Sequence, residues 1–393
     1  MKTGFRLVLI NVLVIFVLFA VVELAYSTYV YLTANQSARV WAAEDSGRTI
    51  RYDPVKGYTL TRTPSRFTNI AHGVLNYVGT IQGNNQGFPD RDDFFYGRKS
   101  PDQRRYAVLG DSFTAGNFLS HNWPDRAEDI LSAQSLDVDL LNLSGDGWGL
   151  GNWTSIVDGM LGVEPYELDG LIFAVWTWDL ARKFTYSDHR GQQRRAARYA
   201  SGWNPDTHPQ SEEEALAALD GTGPASSSII STEEFDALLR GETAIEAKWQ
   251  FALTEMVKSV LQPTVQTLRK SWQGEAWDQR FGCNGETDPD KLELFETIKN
   301  FASERDLTID VVYIWSREGL IDGNPVTDLC RMENARDFAD RIGARFINGG
   351  DVFAGIQRDQ LKQLWLPNDL HWGQGASDLF ASFMAGILAE NAR

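Results

Sequence analysis

The chain has 393 residues, of which 43% are hydrophobic and 23% are charged, and its formal net charge is −16 at pH 7. This composition predicts a globular protein with a large core and excludes a mostly disordered chain. The negative charge excludes binding of nucleic acid through a basic surface, so we expect no nucleic-acid partner. The 13 tryptophans fit either a large aromatic core or flat platforms for a ligand such as a sugar.

The first predicted element is an apolar helix at the N-terminus. Residues 7–22 are almost entirely apolar, and a mainly apolar run continues to Leu32. About 20 such residues are enough to span a bilayer. Lysine and arginine occur before the run and not again until Arg39, which places the N-terminus in the cytoplasm and the rest of the chain outside. We therefore predict a transmembrane anchor over residues 1–32.

A cleaved signal peptide is the alternative to a retained anchor. No good A-x-A cleavage site follows the apolar run, which favours retention. Residues 33–50 are polar and are predicted to form a linker. Residues 51–393 are then predicted to form one domain on the outer side of the membrane.

The chain has two cysteines, Cys283 and Cys330, both in polar, loop-like sequence. A pair of cysteines can persist as a disulfide outside the cytoplasm. Two cysteines without suitably spaced histidines make a poor zinc site. We therefore expect a disulfide and no metal, although the sequence leaves the oxidation state open.

Within the domain, short-strand sequence comes first, and strands and helices then alternate. Continuous apolar runs that predict buried strands occupy residues 105–110, 138–144, 168–178 and 307–316. Helices are predicted at residues 123–134, 152–162, 289–306, 333–343 and 376–392. This alternation predicts an α/β fold of three α/β/α layers with a parallel central sheet.

Residues 187–282 interrupt the alternation. They begin with polar, irregular sequence and continue with amphipathic helical sequence, so we predict a helical insertion that acts as a lid over the sheet edge. Within it, "STEEFDALLRG" predicts a helix with Ser231 or Thr232 as its cap and Gly241 at its end.

The first predicted buried strand leads into "GDSFTAG", residues 110–116. Ligands of parallel α/β sheets bind beyond the carboxyl ends of the strands, and Ser112 lies at such an end. The turn is not a G-x-S-x-G elbow, because Thr114 stands at the second glycine position, and it is not a phosphate-binding loop. The turn alone leaves two interpretations of Ser112, a helix cap and a nucleophile.

A base for such a nucleophile is found near the C-terminus. His371 lies in "PNDLHWGQGA", just before the last predicted helix, with Asp369 two residues earlier. A carboxylate can orient an imidazole and stabilise its charged form, which a serine nucleophile requires. The alternative is a solvated loop histidine.

These motifs, in this order, resemble the SGNH (GDSL-like) hydrolase superfamily. "GDSFTAG" matches the block that carries the serine, "NLSGDGWGLGNW" matches the block that carries a glycine, and "PNDLHWGQGA" matches the block with the acid and histidine. The segment "NNQGFPDRDDF" also resembles membrane-anchored bacterial members. The resemblance covers about residues 50–185 and 285–393 and implies a flavodoxin-like sheet.

The resemblance also implies a mechanism and a set of site residues. Ser112, His371 and Asp369 would form a catalytic triad, and the backbone N–H groups of Ser112 and Gly147 would bind the oxyanion. No cofactor and no metal are implied. Side chains in these blocks that we expect to contact the substrate are Asp111, Trp148, Trp178, Asp179 and Trp372.

The sequence departs from the family pattern at two places. The third block normally supplies an asparagine to the oxyanion, but "VWTWDL" places Trp178 at that position. Asn152 is either a substitute oxyanion donor or a helix cap. The fourth block usually reads D-x-x-H, whereas D-x-H-W is similar to sugar O-acetyltransferase-like members and favours polysaccharide acyl chemistry.

Three functions are compatible with the sequence. The first is a serine esterase of the bacterial inner membrane that cleaves a carbohydrate or small-molecule ester in the periplasm or another extracytoplasmic space. The second is an O-acyltransferase that modifies an exported polysaccharide and receives its acyl group from a membrane partner. The third is a non-catalytic domain that binds a glycan or a partner. The retained triad residues favour an enzyme, and the sequence barely separates the first two functions.

Overall fold

The computed structural model describes most of the predicted domain. The described residues are 11, 14, 16–28, 38–43, 50–71, 74–187, 193–195, 211, 213–214, 227–242, 289–321, 325–367 and 369–391. The strands are β1 (Ala38–Ala43), β2 (Ile50–Asp53), β3 (Gly57–Leu60), β4 (Ser65–Ala71), β5 (Val74–Ile81), β6 (Arg104–Leu109), β7 (Val138–Asn142), β8 (Gly170–Trp176), β9 (Thr185–Ser187), β10 (Gln193–Arg195), β11 (Ser227–Ser231), β12 (Thr308–Ile314) and β13 (Arg345–Asn348). The α-helices are α1 (Ser112–Ala115), α2 (Trp123–Ala133), α3 (Leu150–Ile156), α4 (Thr232–Leu239), α5 (Pro289–Glu304), α6 (Arg317–Leu320), α7 (Pro325–Ile342), α8 (Arg358–Leu364) and α9 (Gln374–Asn391).

A five-stranded parallel sheet forms the centre of the domain, with the order β13-β12-β8-β6-β7. Every residue of β8 is buried, as expected for a strand covered on both faces. The predicted α/β class with a parallel central sheet is confirmed. The four apolar runs that predict strands all form strands of this sheet.

Aromatic side chains of the helices complete the core. The rings of Trp123 in α2 and Phe380 in α9 lie 5.2 Å apart. The rings of Phe295 in α5 and Phe338 in α7 lie 4.8 Å apart, and Phe338 also contacts Phe173 of β8 at 5.5 Å. Each predicted helix of the alternating region is present, although α7 begins at Pro325, well before the predicted start.

A second sheet corrects two of the sequence-based predictions. Its order is β11-β1-β4-β5. β1 lies in the predicted linker and β11 in the predicted helical insertion, and the two strands pair in parallel. The reason is burial, because Val40 and Ala42 of β1 pack against Phe235 of α4.

The helix predicted within the insertion is confirmed. Ser231 caps α4 through a capping box in which its side chain and that of Glu234 bind each other's backbone N–H. Gly241 follows the helix with φ of 72°, in the left-handed region that favours glycine. Most of the remaining insertion lies outside the described residues, so its role as a lid stays a prediction.

The N-terminal segment and the cysteines are only partly covered. Residues 16–28 are helical, and no helix among the described residues is long and apolar enough to cross a membrane. The predicted anchor lies partly outside these residues and stays a prediction. Cys330 is disulfide-bonded, and Cys283, the other cysteine of the chain, lies outside the described residues.

Candidate active site

Ser112 lies just after β6, at the carboxyl edge of the central sheet. The side chain of Asp111 accepts a hydrogen bond from the Phe113 N–H at 2.9 Å, so Asp111 caps α1 and Ser112 is its first residue. A Cβ on Gly110 would lie 2.2 Å from Thr114 Oγ1, so the turn requires glycine. The structure therefore removes the helix-cap interpretation of Ser112.

Ser112, His371 and Asp369 form one hydrogen-bonded chain. Ser112 Oγ lies 2.7 Å from His371 Nε2, and His371 Nδ1 lies 2.5 Å from Asp369 Oδ1. An ionised carboxylate only accepts, so we assign the imidazole proton to Nδ1, which leaves Nε2 able to accept the serine proton. The side chains of His371 and Asp369 are 22% and 19% exposed, so this hydrogen-bonded group is partly accessible from the surface.

A short loop presents the acid and the histidine to the serine. Its ends are joined by an antiparallel bridge between Trp365 and Trp372. The Leu366 N–H donates to the His371 carbonyl at 3.1 Å, and the His371 N–H donates to Asp369 Oδ1 at 3.1 Å. The backbone therefore fixes the carboxylate relative to the imidazole that it orients.

Arg317, the first residue of α6, holds this loop from outside. Its Nη1 donates to the carbonyls of Leu366, Pro367 and Asp369 at 2.8, 3.2 and 3.2 Å. One guanidinium thus donates hydrogen bonds to three carbonyls of the loop that carries Asp369. This positioning residue was not predicted from the sequence.

Aromatic rings surround the imidazole. The rings of Phe113 and Phe118 lie 4.9 and 4.5 Å from the His371 ring. Trp372 packs edge-on against Phe113 at 5.1 Å and is fully buried. This side chain supports the aromatic wall from within the core, and its predicted contact with substrate stays a prediction.

Two backbone N–H groups remain available for an oxyanion. Among the described residues, neither the Ser112 N–H nor the Gly147 N–H has a hydrogen-bond partner. Gly147 has φ of 76°, which favours glycine. The preceding residue, Asp146, accepts a hydrogen bond from Asn117 Nδ2 at 3.2 Å, which ties the glycine loop to the segment after α1.

Asn152 does not substitute for the missing asparagine of the third block. Its Nδ2 donates to the carbonyls of Lys56 and Thr185 at 2.9 and 2.8 Å, and its Oδ1 accepts the Thr185 N–H at 2.9 Å. The side chain is fully buried. The prediction of an oxyanion donor at Asn152 is therefore wrong, since its amide joins α3 to the segments around β3 and β9.

Asp111 and Asp179 are also buried structural groups. Both are fully buried and share Arg182, whose Nη1 lies 3.0 Å from Asp111 Oδ2 and 2.7 Å from Asp179 Oδ1. Burial alone would lower the pKa of the Arg182 guanidinium, but the charges of Asp179 and Asp111 raise it above its ordinary value. The prediction that either aspartate contacts substrate is wrong.

Trp148 is a core residue as well. It is 1% exposed, and its ring contacts Tyr58 at 5.0 Å and Phe88 at 6.1 Å. Its carbonyl accepts a hydrogen bond from Arg182 Nη1 at 2.8 Å. The residue therefore anchors the glycine loop to the core, and its predicted contact with substrate stays a prediction.

Trp178 differs from the other predicted contacts because it is only half-buried. It follows β8 at the carboxyl edge of the sheet. The guanidinium of Arg331, in α7, lies over its ring with Cζ 3.1 Å from the ring centroid. The residue at the position of the missing asparagine is therefore an aromatic platform for a cation.

A parallel sheet with a Ser-His-Asp chain at its carboxyl edge is the arrangement of a serine hydrolase. No protein-family model matches the chain, and no curated protein shows significant similarity to it.

Solved structures that resemble the chain include an esterase and two lipolytic proteins. A psychrotrophic esterase from Pseudoalteromonas is 11% identical, with 73% of this chain and 97% of that one covered and a TM-score of 0.35. A lipase/acylhydrolase from Enterococcus faecalis is 9% identical, with 73% and 96% covered and a TM-score of 0.37. A member of the lipolytic G-D-S-L family from Veillonella parvula is 10% identical, with 73% and 98% covered and a TM-score of 0.35. At such values, only the chain's own side chains decide what chemistry its site can perform.

Proposed function

We propose that this protein is a serine esterase of the SGNH type. The observation that carries the proposal is the continuous chain from Ser112 Oγ through His371 to Asp369, with distances of 2.7 and 2.5 Å. These distances match those that a nucleophile, a general base and an orienting acid require. The serine lies at the carboxyl edge of the sheet, which is where ligands of parallel α/β sheets bind.

The reaction follows from these positions. Ser112 Oγ attacks the ester carbonyl carbon while its proton moves to His371 Nε2, and a tetrahedral oxyanion forms. The C–O bond to the leaving alcohol then breaks, and that alcohol takes the proton from Nε2. Water repeats the sequence on the acyl-enzyme and releases the acid. Asp369 stays ionised and stabilises the imidazolium in both steps.

The oxyanion would be held by the backbone N–H groups of Ser112 and Gly147. Trp178 supplies no amide, and the Asn152 amide is already bonded elsewhere. Loss of one oxyanion donor costs about 10²–10³ in rate. We therefore expect a slower esterase than an enzyme with the same triad and a third donor.

Hydrolysis of 4-nitrophenyl acetate tests the proposal. We expect activity in the wild type and a loss of at least about 10³-fold in Ser112→Ala, because the nucleophile is removed. Ser120→Ala is the matched control, since Ser120 Oγ also lies near a histidine nitrogen, 3.2 Å from His121 Nδ1, but donates to Gln374.

The outcomes separate the three candidate functions. Unchanged hydrolysis in Ser112→Ala would contradict the triad. A wild type that is inert toward esters but binds glycans would support a non-catalytic domain. Acetyl transfer to an added sugar at the expense of free acetate would identify an acyltransferase that uses the same acyl-enzyme.

We also propose that the esterase is anchored to a bacterial inner membrane and works outside the cytoplasm on a carbohydrate or small-molecule ester. The apolar N-terminal run supports the anchor, and the disulfide-bonded Cys330 supports an oxidising compartment. The full chain should stay in the membrane fraction after a high-salt wash. Recovery as a shortened soluble chain would contradict the anchor.

A further inference from the structure

Arg331 is a buried cation for which the described part of the chain supplies no ion-pair partner. The residue is 6% exposed, and within the described part of the chain it makes no ion pair and no hydrogen bond. Its Nε is buried and has no hydrogen-bond partner. A guanidinium carries five N–H donors, and leaving them without acceptors in a buried place is costly.

Nearby acids do not satisfy this guanidinium. Asp328, one turn earlier in α7, accepts from the Tyr313 hydroxyl at 2.8 Å on Oδ1 and from the Ser316 hydroxyl at 2.5 Å on Oδ2. Burial lowers the pKa of Arg331, and the charges of Tyr313, Asp328 and Glu318 act against this without reversing it. The site therefore keeps a positive charge that described side chains do not bind directly.

Arg331 is nevertheless held in place. Trp178 lies beneath its guanidinium plane, with Cζ 3.1 Å from the ring centroid. An arginine held over a ring face presents several N–H donors in a fixed planar group, whereas lysine carries a single charge on a flexible stem. Arg331 and Trp178 thus form a binding platform, and the N–H groups of the guanidinium are the donors that would contact a ligand.

Within the described residues, two further donors at the same sheet edge lack partners. Thr177 Oγ1 and Trp176 Nε1 are buried and make no hydrogen bond. Both residues immediately precede Trp178 at the end of β8. A hydroxyl and an indole N–H both donate to a bound oxygen, so the unpaired groups share one ligand chemistry with Arg331.

This platform and the triad lie at the same end of the central sheet. Trp176 stacks on Phe113 with ring centroids 5.3 Å apart, and Phe113 packs on His371. Glu318, which acts on Arg331, is the neighbour of Arg317, the residue that holds the Asp369 loop. The cation and the nucleophile therefore lie at the same carboxyl edge of the sheet.

We infer that Arg331, stacked on Trp178, binds a carboxylate carried by the ester substrate. This inference rests on the proposed esterase function and names the substrate class as esters that carry a free carboxylate, on either the acyl or the alcohol part. The carboxylate supplies the two acceptor oxygens that the guanidinium fork lacks. Binding of the anion would direct the ester toward Ser112.

Matched ester pairs test the inference. The acyl-side pair is mono-4-nitrophenyl glutarate against 4-nitrophenyl butyrate, and the alcohol-side pair is 4-(carboxymethyl)phenyl acetate against 4-methylphenyl acetate. We expect kcat/KM to favour the carboxylate ester about 10–100-fold in one pair, because charge-assisted hydrogen bonds are strong. Arg331→Gln should abolish this preference by lowering kcat/KM for the carboxylate ester much more than for its neutral partner, and Arg331→Lys should retain part of it.

Arg336→Gln is the matched control. Arg336 is in the same helix and also lies over a ring, that of Phe346 at 4.3 Å, but its side chain is 46% exposed. We expect its variant to keep the full preference. Equal effects of Arg331→Gln on carboxylate and neutral esters in both pairs would overturn the inference.

A binding measurement separates this inference from the esterase proposal. Calorimetric titration with monomethyl glutarate should show binding to the wild type that weakens at least tenfold in Arg331→Gln. Such binding in a protein that hydrolyses no ester would support the anion site and refute the esterase. Hydrolysis of neutral esters with no binding that depends on Arg331 would refute the anion site and leave the esterase standing.

Discussion

Two buried arginines lie at the carboxyl edge of one sheet and are held in opposite ways. Arg182 is enclosed by Asp111, Asp179 and the Trp148 carbonyl, each within 3.0 Å of Nη1. Arg331 lies over Trp178 and has no acceptor among the described residues.

This difference distinguishes an arginine with a structural role from an arginine that is available to bind a ligand. A guanidinium between two carboxylates has its charge and its donors satisfied without a ligand, so Arg182 fixes the end of β8 and the cap of α1. An unpaired guanidinium needs a bound ligand to supply its acceptors. The same residue type, at the same edge of the sheet, can thus be part of the scaffold or part of the substrate site.

Removing Arg182 should have the largest effect. Arg182→Gln would leave the Asp111 and Asp179 carboxylates buried without a cation, which costs about 3–5 kcal/mol in the free energy of unfolding. Urea denaturation measures this loss. Adding Asp111→Asn and Asp179→Asn to the variant should recover part of it, and a loss below about 1 kcal/mol would show that the network is not structural.

The next largest effect is a dependence of the free energy of unfolding on pH, and it comes from buried carboxyl groups. Burial raises the pKa of Asp125 to about 7 and that of Glu128 to about 9, and it raises the pKa of Asp90 as well. Between the unfolded and folded pKa values the folded protein binds more protons, so its stability should fall as pH rises from about 4 to 9.

Asp125→Asn tests this dependence. The amide cannot ionise, so the fall in unfolding free energy between pH 5 and pH 9 should shrink by about 2 kcal/mol or more, since one pKa unit corresponds to about 1.4 kcal/mol. The exposed Asp102→Asn variant is the control and should follow the wild type. An unchanged slope in Asp125→Asn would show that this carboxyl is ionised in the folded protein.

Arg317 should have a smaller effect that appears in catalysis. Arg317→Gln loses the hydrogen bonds to three loop carbonyls, so we expect kcat for 4-nitrophenyl acetate to fall about tenfold with little change in KM, because small misplacements slow catalysis. Arg317→Lys should restore part of the rate. Lys362→Gln, an exposed change in α8, is the control. An equal loss of kcat in that variant would show that Arg317 does not act as a positioning residue.

Arg331→Gln should change stability least. The change removes an unpaired buried charge as well as its contact with Trp178, and we expect a net change within about 1 kcal/mol. Urea denaturation beside Arg182→Gln gives the direct contrast. A loss of 3 kcal/mol or more would place Arg331 in the scaffold with Arg182.

The strands of the central sheet and the residues of the candidate site could be predicted because their signals are local. Four continuous apolar runs identified the strands, and Asp369 with His371 lie two residues apart. The rule that ligands bind at the carboxyl edge placed Ser112, and the resemblance of the motifs to the SGNH superfamily implied its pairing with these residues. The functional part of the fold was thus encoded in short segments.

Residues that act through distant partners were not predicted correctly. Nothing near Asn152 in the sequence indicates partners for its amide. Its partners Lys56 and Thr185 lie 96 and 33 residues away. Arg317 binds carbonyls about 50 residues away. The pairing of β1 with β11 likewise joins a predicted linker to a predicted insertion, and neither segment has a local signal for the other.

Covalent labelling with a fluorophosphonate tests the triad most directly, because it reports the activated serine whatever the natural ester. We predict a single adduct on intact protein, located at Ser112 by peptide mapping and lost in His371→Ala. No adduct in the wild type, or an adduct on another serine such as Ser120, would contradict the assignment of Ser112 as the nucleophile.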